Sequence, residues 1–239
     1  MIRRLASVAL AWLIVSGAVA AGTNNPSDAG IQGRQLARQL CEMRPAENST
    51  NTGTLQIRYG NGIRAGISVK FRTIVTATNW LAIYETTSEA YRVKLIVIHS
   101  DDQPDRYQFR ESDLPENEIM APFAGSDFWI ADLGLDFFHW PEQKILKHEM
   151  RRGRACQVLE STNPDPTPAG YSRVVSWIDN ETLGIVQAEA YDAKGDLLKE
   201  FYPKSFKKVN GQWELQEMEI RNDQTGSRTR LDFDLNKPD

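Results

Sequence analysis

Three histidines, two cysteines and a triplet of aspartates are the residues of this chain whose types could carry chemistry, and their spacing organises none of it. His99, His139 and His148 fall in separate segments. His148-Glu149 lacks the second histidine that a helical zinc-protease motif places four residues after the first. Neither Cys41 nor Cys156 belongs to a C-x-x-C pair, so no metal site is expected. Gly60-Asn61-Gly62-Ile63-Arg64-Ala65-Gly66 has the spacing G-x-G-x-x-x-G and leads into a strand pattern, which makes it a hairpin turn rather than a phosphate loop. Gly170-Tyr171-Ser172-Arg173-Val174 has valine where a nucleophile elbow needs its second glycine. Asp127, Asp132 and Asp136 could be drawn together as a general acid-base cluster. Because carboxylates are mostly exposed, a solvated face is the expected arrangement. No active site and no cofactor are expected.

What remains is a concentration of aromatic side chains. Residues 125–146, GSDFWIADLGLDFFHWPEQKIL, place Phe128, Trp129, Phe137, Phe138 and Trp140 within thirteen positions of a charge-rich chain. Two readings stand side by side. These rings are either permanent core, as aromatic residues usually are, or a cover that an apolar ligand displaces. Burial of each methylene of such a ligand is worth about 0.8 kcal/mol.

The elements that must position this segment follow from the rest of the sequence. Residues 1–22 have the three parts of a secretory signal: Arg3-Arg4, an apolar run from Leu5 to Val15, and Ala18-Val19-Ala20 before the cleavage region. The run is too short for a comfortable membrane span, so a soluble product exported to the periplasm is expected, with residues 23–239 as a single domain. Without Arg3 and Arg4 the balance is 26 basic against 32 acidic residues, or −6, which argues against a nucleic-acid surface. An oxidising compartment favours a bridge between Cys41 and Cys156, worth roughly 4 to 5 kcal/mol for so long a loop. Two separately buried thiols are the equal alternative.

Ser27-Asp28 can cap a helix carrying Leu36, Leu40 and Met43 at helical spacing, and Pro45 ends it. From Leu55 the period changes to two, and strand patterns run near 55–59, 63–77, 78–86, 91–99 and 106–111. A pair flanks Arg151-Arg152-Gly153-Arg154, and five more runs follow near 171–178, 183–192, 196–206, 213–221 and 228–235. Pro203 marks an edge or a bulge. In the last run Thr229, Leu231, Phe233 and Leu235 share one face, and Arg228, Arg230, Asp232 and Asp234 the other. The class is mainly β, with about eleven or twelve antiparallel strands and few helices. A sheet with one apolar face must close, stack on a second sheet or curl around a cover. The cover available is the N-terminal helix together with residues 112–142.

Gly125-Ser126-Asp127-Phe128 with Asp132-Leu133, the run Arg152-Gly153-Arg154-Ala155-Cys156-Gln157-Val158-Leu159-Glu160, Ser176-Trp177-Ile178-Asp179 and Glu189-Ala190-Tyr191-Asp192 carry a resemblance. It continues through Trp213, Met218-Glu219-Ile220, Thr225-Gly226 and Thr229-Arg230-Leu231. In these words and in the order of elements the chain resembles the LolA-like family of outer-membrane lipoprotein-sorting proteins, in its broader, uncharacterised branch. The resemblance implies an unclosed, strongly curved antiparallel half-barrel of about 11 strands, with a short helical lid on its concave face. It implies acyl chains of lipoproteins, or another lipid, as ligand, membrane-anchored donor or acceptor proteins as partners, a monomer, and a non-enzymatic carrier. The same fold also implies an alternative, an envelope sensor or interaction module acting on a membrane partner. On the cavity and lid, Phe128, Trp129, Leu133, Phe137, Phe138 and Trp140 are the expected ligand-binding residues.

Overall fold

The computed structural model describes residues 26–87, 92–100, 103–109, 112–113, 118–209 and 212–235. The expected signal, residues 1–22, lies outside the described residues. The expected helix is α1 (Pro26–Cys41), ending just before the proline stop. Its buried residues Leu36 and Ala37 pack with Ile145, Phe137 and Trp140.

Two antiparallel meanders follow. The first is β1 (Ser49–Arg58), β2 (Arg64–Val75), β3 (Asn79–Thr86), β4 (Lys94–Ser100), β5 (Gln103–Phe109) and β6 (Ser112–Asp113). The second is β7 (Glu142–Arg151), β8 (Arg154–Thr162), β9 (Arg173–Asp179), β10 (Ile185–Tyr191), β11 (Leu197–Val209), β12 (Gln212–Asn222) and β13 (Ser227–Phe233). β13 returns to pair with β1, setting Leu55 opposite Leu231 and Ile57 opposite Thr229. The meanders thereby join into one unclosed thirteen-stranded sheet with β6 and β7 as its edges. The strand beyond the twelve read from the sequence is β6, whose two residues are too few to show a period. The register of β11 against β12 shifts between Pro203 and Ser205, so the proline sits at the bulge its missing N–H requires. Gly62 at φ 86 makes the β1–β2 hairpin turn.

That strand order dictates where the aromatic segment goes. β6 and β7 are neighbours in the chain but occupy opposite edges. Their connection must therefore cross the hollow of the curved sheet. It does so through a 3-10 turn (Phe123–Gly125), α2 (Ile130–Gly134) and a second 3-10 turn (Asp136–His139). Leu135, in the left-handed region at φ 55, both ends α2 and begins the second turn. Gly134 is required by close approach, since a Cβ there would lie 2.3 Å from the Tyr107 hydroxyl oxygen. α1 crosses β7 just as closely at Gly33, where a Cβ would meet the Lys144 nitrogen at 2.5 Å. In this way α1 covers an edge strand that would otherwise offer unpaired backbone.

Two apolar clusters line the concave side. One joins Ile119, Phe123, Phe128, Ile130 and Ala131 to β1–β5, β12 and β13, and the other joins α1 and the second 3-10 turn to β7–β11. The convex side is not uniformly wet. Cys156, Val158, Val175, Trp177 and Val186 form a third buried cluster there. Long charged side chains roof it: the Arg151 guanidinium lies 4.7 Å from the Trp177 ring and that of Arg173 3.9 Å from Tyr191. This arrangement decides between the bridge and the two separate thiols. Both thiols are free, because Cys156 belongs to the convex cluster while Cys41 ends α1 on the concave side, with the sheet between them.

Candidate functional site

The segment crossing the hollow is fixed first at the sheet end that carries the turns 59–63, 192–196 and 223–226. Asp127 is the anchor. Its carboxylate accepts hydrogen bonds from the hydroxyls of Thr229 (2.8 Å) and Ser227, and its amide donates to Thr229 Oγ1 at 2.9 Å. Lys199 of β11, 1% exposed, donates to the Asp127 carbonyl at 2.7 Å. The same ammonium lies 3.5 Å from Asp132 Oδ2 and 3.5 Å from the centre of the Trp129 ring, which stacks on Tyr171. Asp132 is held further by the Trp129 amide (2.7 Å) and the Tyr171 hydroxyl (2.8 Å). Burial pushes the Lys199 ammonium down to about 8 against the pull of Asp132 and Asp127.

These contacts overturn the solvated-face expectation. Asp127 and Asp136 are buried and Asp132 is half-buried. Asp136 accepts from the Trp140 indole at 3.1 Å and the Tyr107 hydroxyl at 3.4 Å. The three carboxylates are inside because each answers donors of the segment and the sheet, and each does so separately. Their arrangement is structural.

Beneath the segment lies a cavity of about 1230 Å³. Its volume exceeds the roughly 300–1,000 Å³ typical of small-molecule pockets. Phe128, Leu133, Phe137 and Phe138 line it from the segment, Leu40 and Cys41 from α1, Met43 from just beyond that helix, and Phe71, Trp80, Ala188, Phe201 and Met218 from the sheet. Of the six residues expected at a ligand site, Trp129 and Trp140 do not line it. Trp129 packs on Lys199 and Tyr171, and Trp140 packs with α1 and donates to Asp136. The cavity reaches the surface at the other sheet end. There Met43, Leu135 and Phe206 are exposed, beside the turns at 152–153 and 180–184.

A second polar group, not foreseen from the sequence, stands on this wall. His99 Nδ1 lies 2.9 Å and His139 Nε2 3.5 Å from Asp105, whose side chain is 1% exposed. His99 stacks on Trp80 at 3.6 Å. Burial acts to lower His139, but its hydrogen bonds to Asp105 and the Cys41 thiol raise it to about 10. The same two histidines hold the Asp105 carboxyl below its usual range despite its burial. Among the described residues no three His, Cys, Asp or Glu side chains are grouped to hold a metal ion. No helix among them is long and apolar enough to cross a membrane.

A family model described as "Uncharacterized protein" matches residues 110–238. No curated protein matches significantly. Among solved structures, a DUF1329 family protein from Desulfovibrio piger is similar over 88% of this chain and 95% of its own, at 23% identity and a TM-score of 0.69. A domain assigned to outer membrane lipoprotein sorting from Vibrio parahaemolyticus is similar over 86% and 91%, at 20% identity and 0.71. A LolA superfamily protein from Nitrosomonas europaea is similar over 86% and 91%, at 15% identity and 0.59. At these identities the likeness establishes the open half-barrel fold.

Proposed function

Because this chain belongs to the family of uncharacterised proteins matched over residues 110–238 and has the open half-barrel fold of LolA-like proteins, we propose that it is an exported binding or carrier protein for acyl chains. The chains, of lipoproteins or of another lipid, enter the cavity beneath residues 118–141 in the periplasm. The observation that carries the proposal is the cavity itself: about 1230 Å³, walled mainly by apolar side chains and reaching the surface at one end. The likeness to a domain assigned to lipoprotein sorting supports the same ligand class. Transfer of a chain from water into this space is favourable by about 0.8 kcal/mol per methylene and needs no covalent step.

Leu133, Phe137 and Phe138 form the roof in this reading, with Phe128 at its anchored end, while Trp129 and Trp140 hold the roof in place. Native mass spectrometry of protein purified without detergent tests it. We expect an amphiphile adduct on the wild type and its loss in Ala188→Phe, which places a ring in the cavity from the β10 wall. Absence of any adduct after incubation with long-chain lipids, with the cavity residues intact, contradicts the proposal.

A further inference from the structure

The cavity wall carries a nucleophile that the acyl-chain reading does not use. Cys41, the last residue of α1, is half-buried and lines the cavity beside Leu40. His139, the last residue of the second 3-10 turn, lines the same cavity. The two meet because α1 and that turn pack into one apolar cluster through Leu36, Leu40, Phe137 and Phe138. The imidazole hydrogen-bonds the thiol, and its Nε2 lies 3.5 Å from Asp105 Oδ1. Asp105 does not line the cavity; its side chain is buried, with His99 Nδ1 on its far oxygen at 2.9 Å. Thiol, imidazole and carboxylate thus follow in that order from the cavity to the interior, the order of a nucleophile, its partner and the group that orients the partner.

Burial acts against a charge on His139, but its hydrogen bonds to Asp105 and Cys41 outweigh burial, so the ring is an imidazolium at neutral pH. An imidazolium beside a thiol gives the attacking thiolate its counter-charge. In the oxidising compartment proposed for this chain, disulfides are the electrophiles at hand. Cys156 cannot complete a bridge with Cys41, because it is buried in the convex cluster on the other side of the sheet. A sulfur joined to Cys41 therefore stays there until an outside thiol removes it. The group it carries would stand in the cavity, two residues from the exposed Met43 at its mouth.

We propose that Cys41 is a thiol–disulfide exchange site, with His139 as the charge partner of its thiolate and Asp105 as the residue that positions His139, and that a mixed disulfide there excludes acyl chains from the cavity. Cys41 gives up its proton and its Sγ attacks one sulfur of a low-molecular-weight disulfide. The new S–S bond forms as the old one breaks, and the leaving thiolate takes up the proton. The Cys41 sulfur is oxidised and the departing sulfur reduced, so the disulfide itself is the oxidant. The exchange stands on the side-chain cluster; only the exclusion of acyl chains rests on the acyl-chain reading above.

Incubation of the reduced protein with glutathione disulfide, followed by intact-mass and peptide mass spectrometry, tests the exchange. One glutathione should be added, on Cys41 and not on Cys156, and dithiothreitol should remove it. His139→Gln should slow the reaction about tenfold, the order expected when a thiolate loses an adjacent cation. Asp105→Asn should slow it less, and Asp105→Glu should restore most of the rate, a rescue that a merely structural carboxylate would not give. Cys156 should stay unreactive in every variant, which reports that the sheet is intact. No adduct, or an adduct on Cys156 instead, overturns the site. Equal rates in wild type, His139→Gln and Asp105→Asn overturn the roles of the imidazole and the carboxylate. The glutathione adduct should then bind palmitate about tenfold more weakly than the reduced protein, a loss that the same treatment of Cys41→Ser should not produce. Equal affinity overturns the exclusion. If the reduced protein binds no palmitate, the acyl-chain reading fails, and the exchange rates still decide the role of Cys41.

Discussion

The two ends of the half-barrel are built from the same strands and solve opposite problems. At the end with turns 59–63 and 223–226, Lys199 and Thr229 each bond Asp127 under Phe123, Phe128 and Ile130, and these last three are each 2% exposed. At the end with turns 152–153 and 180–184, the cavity's lining includes Met43 and Phe206, about half exposed. The difference teaches that the segment over the hollow is one structure with two jobs. Its Phe128 portion is a plug fastened to β11 and β13, while the stretch from Leu133 to His139 roofs an unfilled space. The core reading therefore holds for the Phe128 portion, while the stretch from Leu133 to His139 lies over the cavity, where a cover would act.

The contrast can be broken most forcefully at Lys199. Lys199→Ala strips a half-buried carboxylate and a buried carbonyl of their cation, and it should cost about 3 kcal/mol in urea unfolding, the scale for removing a buried partner of an ion pair. Phe206→Ala at the open end should cost less than ~0.5 kcal/mol, as exposed substitutions do. Equal costs would erase the distinction between the ends. Thr229→Val removes a hydroxyl that both donates to the Asp127 carboxylate and accepts from its amide. A loss of about 1–3 kcal/mol is expected from the same unfolding curves.

The smallest effect is a pH dependence in which the two walls have opposite signs. His139, raised to about 10 from 6.5, contributes stability that is complete below pH 6.5 and fades as pH rises through 10. Lys199, lowered to about 8 from 10.5, is a charge whose burial opposes folding below pH 8, and that opposition is relieved as pH rises toward 10.5. The stability difference between wild type and His139→Gln should accordingly narrow from pH 6 to pH 10. A constant or widening difference would show that Asp105 does not hold a protonated His139.

Much of this was legible in the sequence, and the limit has a physical cause. Period-two runs gave the strands, and the alternation from Thr229 to Phe233 gave the buried face, because both signals are local: Thr229 and Leu231 are 0% and 1% exposed. The place of the cover was legible as the long interruption between two meanders. What escaped was what the topology assembles from afar. His99, Asp105 and His139 lie on β4, β5 and the second 3-10 turn and meet only after the sheet curls. The three aspartates were assigned to solvent because their partners, Thr229, Tyr171 and Trp140's indole among them, could not be seen from the carboxylates' own spacing. The bridge and the separate thiols stood level because nothing in the sequence says that one thiol belongs to each side of the sheet. One signal was available and unread: Lys199 stands two residues before Phe201, in phase with an apolar face, where only a partnered ammonium can be buried.

The central claim is that the space beneath Leu133 and Phe138 holds an acyl chain. Irradiation of the protein with a fatty acid bearing a diazirine near its methyl end, followed by peptide mapping, tests it directly. The account predicts labels on the Leu133–Phe138 segment and on Ala188, Phe201 or Met218 of the facing sheet, competed away by unlabelled palmitate. Labels confined to the convex cluster around Trp177, or none beyond those on unfolded protein, would contradict it.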